Sequence, residues 1–221
     1  MAFSGDRLTA LQRSLLDAYF SIEQRFFLTG GAALVGYYLH HRETLDLDLF
    51  TLEAEAFEGG RRALEAAAAS IGATVIVRQH APGFERHLVT KGDDSVVVDL
   101  VLERVQQVAG PKRMFGRITV DPIEEIFTNK ITTILSRSEE RDLVDLMFLE
   151  RSGLRVEHML PWAEVKDGGC TAAALAFVLS DITIPDDAVL PAGVDPADLR
   201  TFVADLVQRL RRAAFPDPAW G

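Results

Sequence analysis

Asp46 and Asp48 are the residues whose type and spacing best suit chemistry. They alternate with leucines in the run Leu45-Asp46-Leu47-Asp48-Leu49-Phe50. Alternation with period two marks a half-buried strand, and residues i and i+2 of a strand share a face. The spacing therefore sets two carboxylates side by side, with Leu45, Leu47 and Leu49 turned to a core. Two such charges repel, and one pKa rises unless something compensates. A divalent cation removes the conflict, and hard oxygen ligands suit Mg²⁺ or Mn²⁺. Taken alone, the same alternation also describes the solvated face of an amphipathic strand. The upstream pair Gly30-Gly31 favours the first reading. Glycines let the backbone approach a ligand closely, and amides at the start of a helix bind phosphate. A phosphate cradle followed by a two-carboxylate strand points to metal-assisted phosphoryl or nucleotidyl chemistry.

A third carboxylate, Asp99, interrupts the apolar run Val96-Val97-Val98-Asp99-Leu100-Val101-Leu102. Val96, Val98, Leu100 and Leu102 face one way, and Val97, Asp99 and Val101 the other. An unpaired charge buried there is costly. A metal, a basic partner or a place at the edge of a site would each meet that need, and a satisfied structural aspartate is the plainer alternative. Lys130 lies within a helical stripe made by Ile123, Ile126, Phe127, Ile131, Ile134 and Leu135. In the next helix Asp142 and Asp145 are spaced i, i+3, and Arg141 and Asp145 i, i+4, so both pairs can share a face. By itself that run is an ordinary salt-bridged helix.

The elements that must position these groups are readable in outline. Phe26-Phe27-Leu28 is a short buried strand before the glycines, and residues 32–39 continue as a helix. Residues 6–20 form an amphipathic helix with Asp6 as N-cap. A further helix covers 51–71 and stops at Gly72. Strands are expected at 73–79, 86–91 and 95–102, the last two joined by hairpin chemistry at Gly92-Asp93-Asp94. Residues 105–119 read as a basic loop, with Lys112, Arg113 and Arg117, leading to a short strand near Ile118. Asp121-Pro122-Ile123 opens a helix, and helices follow at 156–166, 171–179 and 195–212. Arg61 and Arg62 read as solvated. Arg209, Arg211 and Arg212 suit a helix C-terminus better than a polynucleotide contact. His80 and His158 have no ligand-spaced partner, and Cys170 reads as a small buried residue rather than a nucleophile.

The 221 residues suffice for a substantial core, and 48% hydrophobic with 25% charged residues is ordinary for a globular protein. A formal charge of −10 disfavours a broad nucleic-acid-binding surface, while leaving room for a local basic patch. One cysteine excludes an internal disulfide and fits a reducing cytoplasm. No signal pattern and no membrane-spanning apolar run is present. The expectation is a cytoplasmic protein with no membrane partner.

The order Gly30-Gly31, His41-Arg42-Glu43-Thr44, Asp46-Leu47-Asp48-Leu49-Phe50 resembles the first motif of the DNA polymerase β-type nucleotidyltransferase superfamily. More narrowly, it is similar to the AbiEii/AbiGii toxin family, with Thr44 where that family usually has Ser and Ala32 where it often has Thr. Lys130, Arg137, Arg141, Asp142 and Asp145 resemble the family's second block. The resemblance covers about residues 26–50, 95–102 and 123–149. It implies an α/β (α+β) fold with a small mixed sheet flanked by helices. Residues 1–120 would form the catalytic core, and a helical region, 121–221, would complete the site and contact substrate. It implies that Asp46, Asp48 and Asp99 hold one or two Mg²⁺ (or Mn²⁺) ions, with Asp99 also suited to act as base. Thr29, Gly30, Gly31, Arg42, Thr44 and Lys130 would bind the nucleotide, and Asp145 would support catalysis. The activity implied is transfer of a nucleoside monophosphate from an NTP to a hydroxyl of RNA or tRNA, as the toxin of a toxin–antitoxin pair with an antitoxin partner. A small-molecule acceptor of the aminoglycoside type, favoured by the acidic charge, is one rival. A non-catalytic nucleotide- or protein-binding module with this fold is another.

Overall fold

The computed structural model describes residues 7–137 and 139–215. The chain forms two compact units, one made of residues 1–105 and 110–123, the other of 106–109 and 124–221. Asp6, expected to cap the first helix, lies outside the described residues.

The first unit opens with helix α1 (Ala10–Ile22). Its N-cap is Thr9, in a capping box: Gln12 N–H donates to Thr9 Oγ1, and Thr9 N–H donates to Gln12 Oε1. Strand β1 (Phe26–Thr29) runs into α2 (Gly30–Ala33), which continues as a π-helical turn from Leu34 to Tyr38. Then come β2 (Asp46–Thr51), α3 (Ala54–Ser70), β3 (Thr74–Ala81), β4 (Phe84–Lys91), β5 (Asp94–Leu102), β6 (Arg113–Phe115) and β7 (Ile118–Val120). The basic stretch 105–119 is thus partly a hairpin, because Gly116 takes φ 64° and turns β6 onto β7. Leu45 precedes β2 and is 78% exposed, so only Leu47 and Leu49 of the expected three leucines reach the core.

All seven strands form one mixed sheet, in the order β3-β4-β5-β2-β1-β7-β6. The β2–β5 and β1–β7 pairs are parallel and the others antiparallel. A parallel pair needs a crossover, which α3 and the β3–β4 hairpin supply between β2 and β5. One face carries Phe26, Leu28, Leu47, Leu49, Val89, Val96, Val98 and Leu100, all buried. Helices α1 and α3 pack together over it. Gly60 of α3 fits there because a Cβ would stand 2.8 Å from Phe26 and 3.3 Å from Leu100. Tyr19 packs edge-on against Phe20 and Phe26. The carboxylates of the sequence motif lie on the opposite face.

His87 shares the helix-covered face and is fully buried, with Nε2 3.2 Å from Oε2 of Glu85. The Val98 backbone and the charges of Arg61 and Glu65 on α3 also act on it. Burial pulls its pKa below the usual histidine value, against the opposing pull of Glu85. As pH falls below about 6.5, the unfolded chain takes a proton that the folded chain resists, so stability falls with pH in that range. His87→Leu is expected to flatten this slope in urea unfolding between about pH 7 and about pH 5. An unchanged slope would show that His87 is protonated alike in both states.

The second unit contains α4 (Ile123–Ser136), α5 (Glu140–Arg151), α6 (Val156–Lys166), α7 (Ala172–Ser180) and α8 (Pro196–Ala214), with α4 beginning at the last residue of the first unit. Thr171 and Asp195 cap α7 and α8. Helix α8 packs against α5, α6 and α7 through a stripe that includes Leu199, Leu206 and Leu210. Glu125 secures residues 106–109 by accepting the N–H groups of Val108 and Ala109, and its other oxygen lies 2.6 Å from Lys166 Nζ. Arg209 is held by Glu150, Glu157 and Asp205. It therefore serves the unit's own packing. Cys170 is buried, and burial pushes its thiol up to about 12, which leaves no thiolate at neutral pH. No helix among the described residues is long and apolar enough to cross a membrane.

Candidate active site

The site begins where β1 ends. Gly30 takes φ 62°, the left-handed region that glycine enters freely. A Cβ at Gly30 would lie 2.2 Å from Oδ2 of Asp48, so the Asp48 carboxylate rests directly on this backbone. A Cβ at Gly31 would lie 2.9 Å from Nη2 of Arg42 and 3.4 Å from Oγ1 of Thr44. The two glycines are thus required for different reasons, one by the Asp48 carboxylate and the other by the polar knot that precedes β2. Gly30→Ala is expected to cost about 1–2 kcal/mol in backbone strain and to drive Asp48 from its place. Thermal unfolding and nucleotidyl transfer should both report it, with activity lost more steeply than stability; equal activity at lowered stability would remove Asp48 from the site.

Thr44 Oγ1 donates to Oδ1 of Asp46 at 3.1 Å, and Gln12 Nε2 donates to the buried Thr44 carbonyl at 2.9 Å. The capping box of α1 therefore braces the motif through one side chain. The π-helical turn also joins the scaffold, with Tyr38 OH donating to the Asp121 carbonyl at 2.6 Å.

Strand register then aligns four side chains. Thr29 pairs with Asp48, Asp48 with Asp99, and Asp99 with Arg86. Residues directly opposite on paired strands share a face, so Thr29, Asp48, Asp99 and Arg86 make one row across β1, β2, β5 and β4. Asp46 stands two residues along β2 on the same face. Asp99 is 5% exposed, and both of its oxygens accept from Arg86: Nε at 2.8 Å and Nη2 at 2.7 Å. This pair, with the added fields of Asp46 and Asp48, raises the Arg86 pKa.

Asp46 and Asp48 offer the hard oxygens that a divalent cation takes. Beside them the Thr29 hydroxyl is buried without a hydrogen-bond partner, a cost that a bound ligand would remove. The donor set fits one such ion. Among the described residues no group of three His, Cys, Asp or Glu side chains is arranged to hold a metal. Asp99 stands in the expected row, with its oxygens committed to Arg86.

Lys130 and Asp145 lie in the second unit. Lys130 Nζ sits 2.6 Å from Oδ1 of Asp142 and 2.7 Å from Oδ2 of Asp145, and its side chain is only 11% exposed. Burial lowers the Lys130 pKa, but the two carboxylates outweigh it and the net shift is upward. Arg141 Nε lies 2.7 Å from Oε2 of Glu139. Two positioning residues were not singled out from the sequence, Arg86 and Gln12. The two-residue turn at Gly92-Asp93 holds a signal for the first, because counting back from it pairs Arg86 with Asp99. Gln12 gives no such signal, since its partner is 32 residues away.

Comparison with known proteins agrees with this architecture. Residues 14–217 match the model of the nucleotidyl transferase AbiEii toxin family of type IV toxin–antitoxin systems. No curated protein matches the sequence. A candidate nucleotidyltransferase of Helicobacter pylori has a similar structure, with TM-score 0.60, 18% identity and 92% of each chain covered. JHP933 of Helicobacter pylori is similar at TM-score 0.51 and 19% identity, again over 92% of each chain. MenT4, a nucleotidyltransferase toxin of Mycobacterium tuberculosis, is similar at TM-score 0.52 and 16% identity, over 95% of this chain and 87% of that one. At these identities the structures show a shared fold, and the family match carries the enzyme class. The chain belongs to the AbiEii nucleotidyl transferase toxin family.

Proposed function

We propose that the protein transfers a nucleoside monophosphate from an NTP to a hydroxyl of RNA, with the 3′ end of tRNA as acceptor, and that an antitoxin restrains it. The observation that carries this reading is the row Thr29–Asp48–Asp99–Arg86, with Asp46 beside it and the Gly30 backbone against Asp48. Asp46 and Asp48 would hold Mg²⁺ (or Mn²⁺), which supplies Lewis-acid stabilisation of phosphoryl oxygens when bound. The Gly30 and Gly31 amides and the Thr29 hydroxyl would meet the triphosphate. Arg42 would add a cation at the glycines, and Thr44 orients Asp46. Asp99 closes the row and holds Arg86 facing it. Lys130 belongs to the second unit, where its ammonium bonds Asp142 and Asp145.

The test is incubation with α-³²P-labelled NTPs, Mg²⁺ and total bacterial RNA, resolved on a denaturing gel. A labelled tRNA-sized band is expected. Label that appears only when an aminoglycoside replaces RNA would overturn the RNA acceptor. No label with either would overturn the transfer reaction in favour of a binding module.

A further inference from the structure

Arg86 and Asp99 meet in the two-point geometry that a guanidinium and a carboxylate match best. The backbone enforces the meeting. Gly92 takes φ 60°, the hairpin pairs Lys91 with Asp94, and from there the register runs without a bulge to Arg86 opposite Asp99. Asp99 is buried while the Arg86 side chain is 45% exposed, so the carboxylate's access to the open face is through the guanidinium. Three carboxylates on adjacent positions of one sheet face carry three negative charges. Arg86 answers the charge of Asp99 with both of its hydrogen bonds. A second divalent ion would need Asp99 oxygens that are already engaged in charge-assisted hydrogen bonds.

We propose that Arg86 is a positioning residue that takes the place of a second cation. By holding both oxygens of Asp99, it limits the nucleotide-free protein to one divalent ion, carried by Asp46 and Asp48. The inference rests on the reading of those two residues as the cation site.

The experiment counts bound Mn²⁺ per chain by the electron paramagnetic resonance of the free ion, with no nucleotide present. Wild type is expected to bind one ion, Arg86→Lys one, and Arg86→Gln two, because glutamine leaves Asp99 uncompensated. Asp46→Asn/Asp48→Asn in one chain should lose the wild-type ion. Rescue of the single-ion count by lysine separates charge replacement from a purely structural role. Two ions in wild type would overturn the inference while leaving the cation site standing, and this outcome does not depend on any variant folding. One ion in both wild type and Arg86→Gln would overturn it likewise. No bound ion in wild type or Arg86→Gln would remove the cation site itself, and the inference with it.

Discussion

Asp46→Ala is expected to lower nucleotidyl transfer by more than about a hundredfold, since loss of a residue that merely supports a metal ligand already costs about 10–100-fold. The melting temperature should hold or rise. Asp46 lies half-buried on the face away from α1 and α3, with Asp48 on the same face of the strand, and both act on Arg86. Removing one of several like charges relieves repulsion. Thr44 loses an acceptor, but the Gln12 bond to its carbonyl remains to hold the turn. A variant that is stable yet inactive is what a functional carboxylate predicts. A variant that is unstable yet active per folded molecule would mark Asp46 as structural.

Lys130→Met is expected to destabilise the second unit by about 3–5 kcal/mol, the usual cost of leaving buried charge without its partner. Asp142 and Asp145 are fully buried, and the Lys130 ammonium lies 2.6 Å from the first and 2.7 Å from the second. Arg137 reaches Asp142 at 3.5 Å and offers only partial compensation. For a unit of this size that loss lowers the Tm by about 10 °C or more. Replacing all three, Lys130→Met with Asp142→Leu and Asp145→Leu, should restore much of the stability without restoring transfer. Calorimetry of the single and triple variants checks both statements. A Lys130→Met protein that melts with wild type would mean the ammonium contributes nothing to the fold.

How far the sequence reached can be judged residue by residue. Period-two alternation placed Asp46 and Asp48 on one face and Asp99 opposite Val96, Val98 and Leu100, because a strand's side-chain period is independent of its partners. The glycine turn at 92 likewise made β4 and β5 legible. The parallel pairing that sets Asp48 beside Asp99 was not legible, since it depends on a crossover of more than forty residues rather than on a local turn. The π-helical turn at Leu34–Tyr38 reads as ordinary helix, because its apolar spacing barely differs over five residues. Strand β6 was missed because three residues between Gly110-Pro111 and Gly116 carry too little pattern. Leu45 looked like a core position because alternation shows which residues share a face, not where the strand starts. The bridges from Lys130 to Asp142 and Asp145 cross between helices, and helical spacing sees only pairs within one.

The most direct test of the central claim is anomalous X-ray scattering from crystals grown with Mn²⁺ and a non-transferable NTP analogue. The account predicts a manganese peak bonded to the carboxylates of Asp46 and Asp48, with the triphosphate against Gly30 and Gly31. A nucleotide bound elsewhere, or manganese that avoids both aspartates, would contradict it.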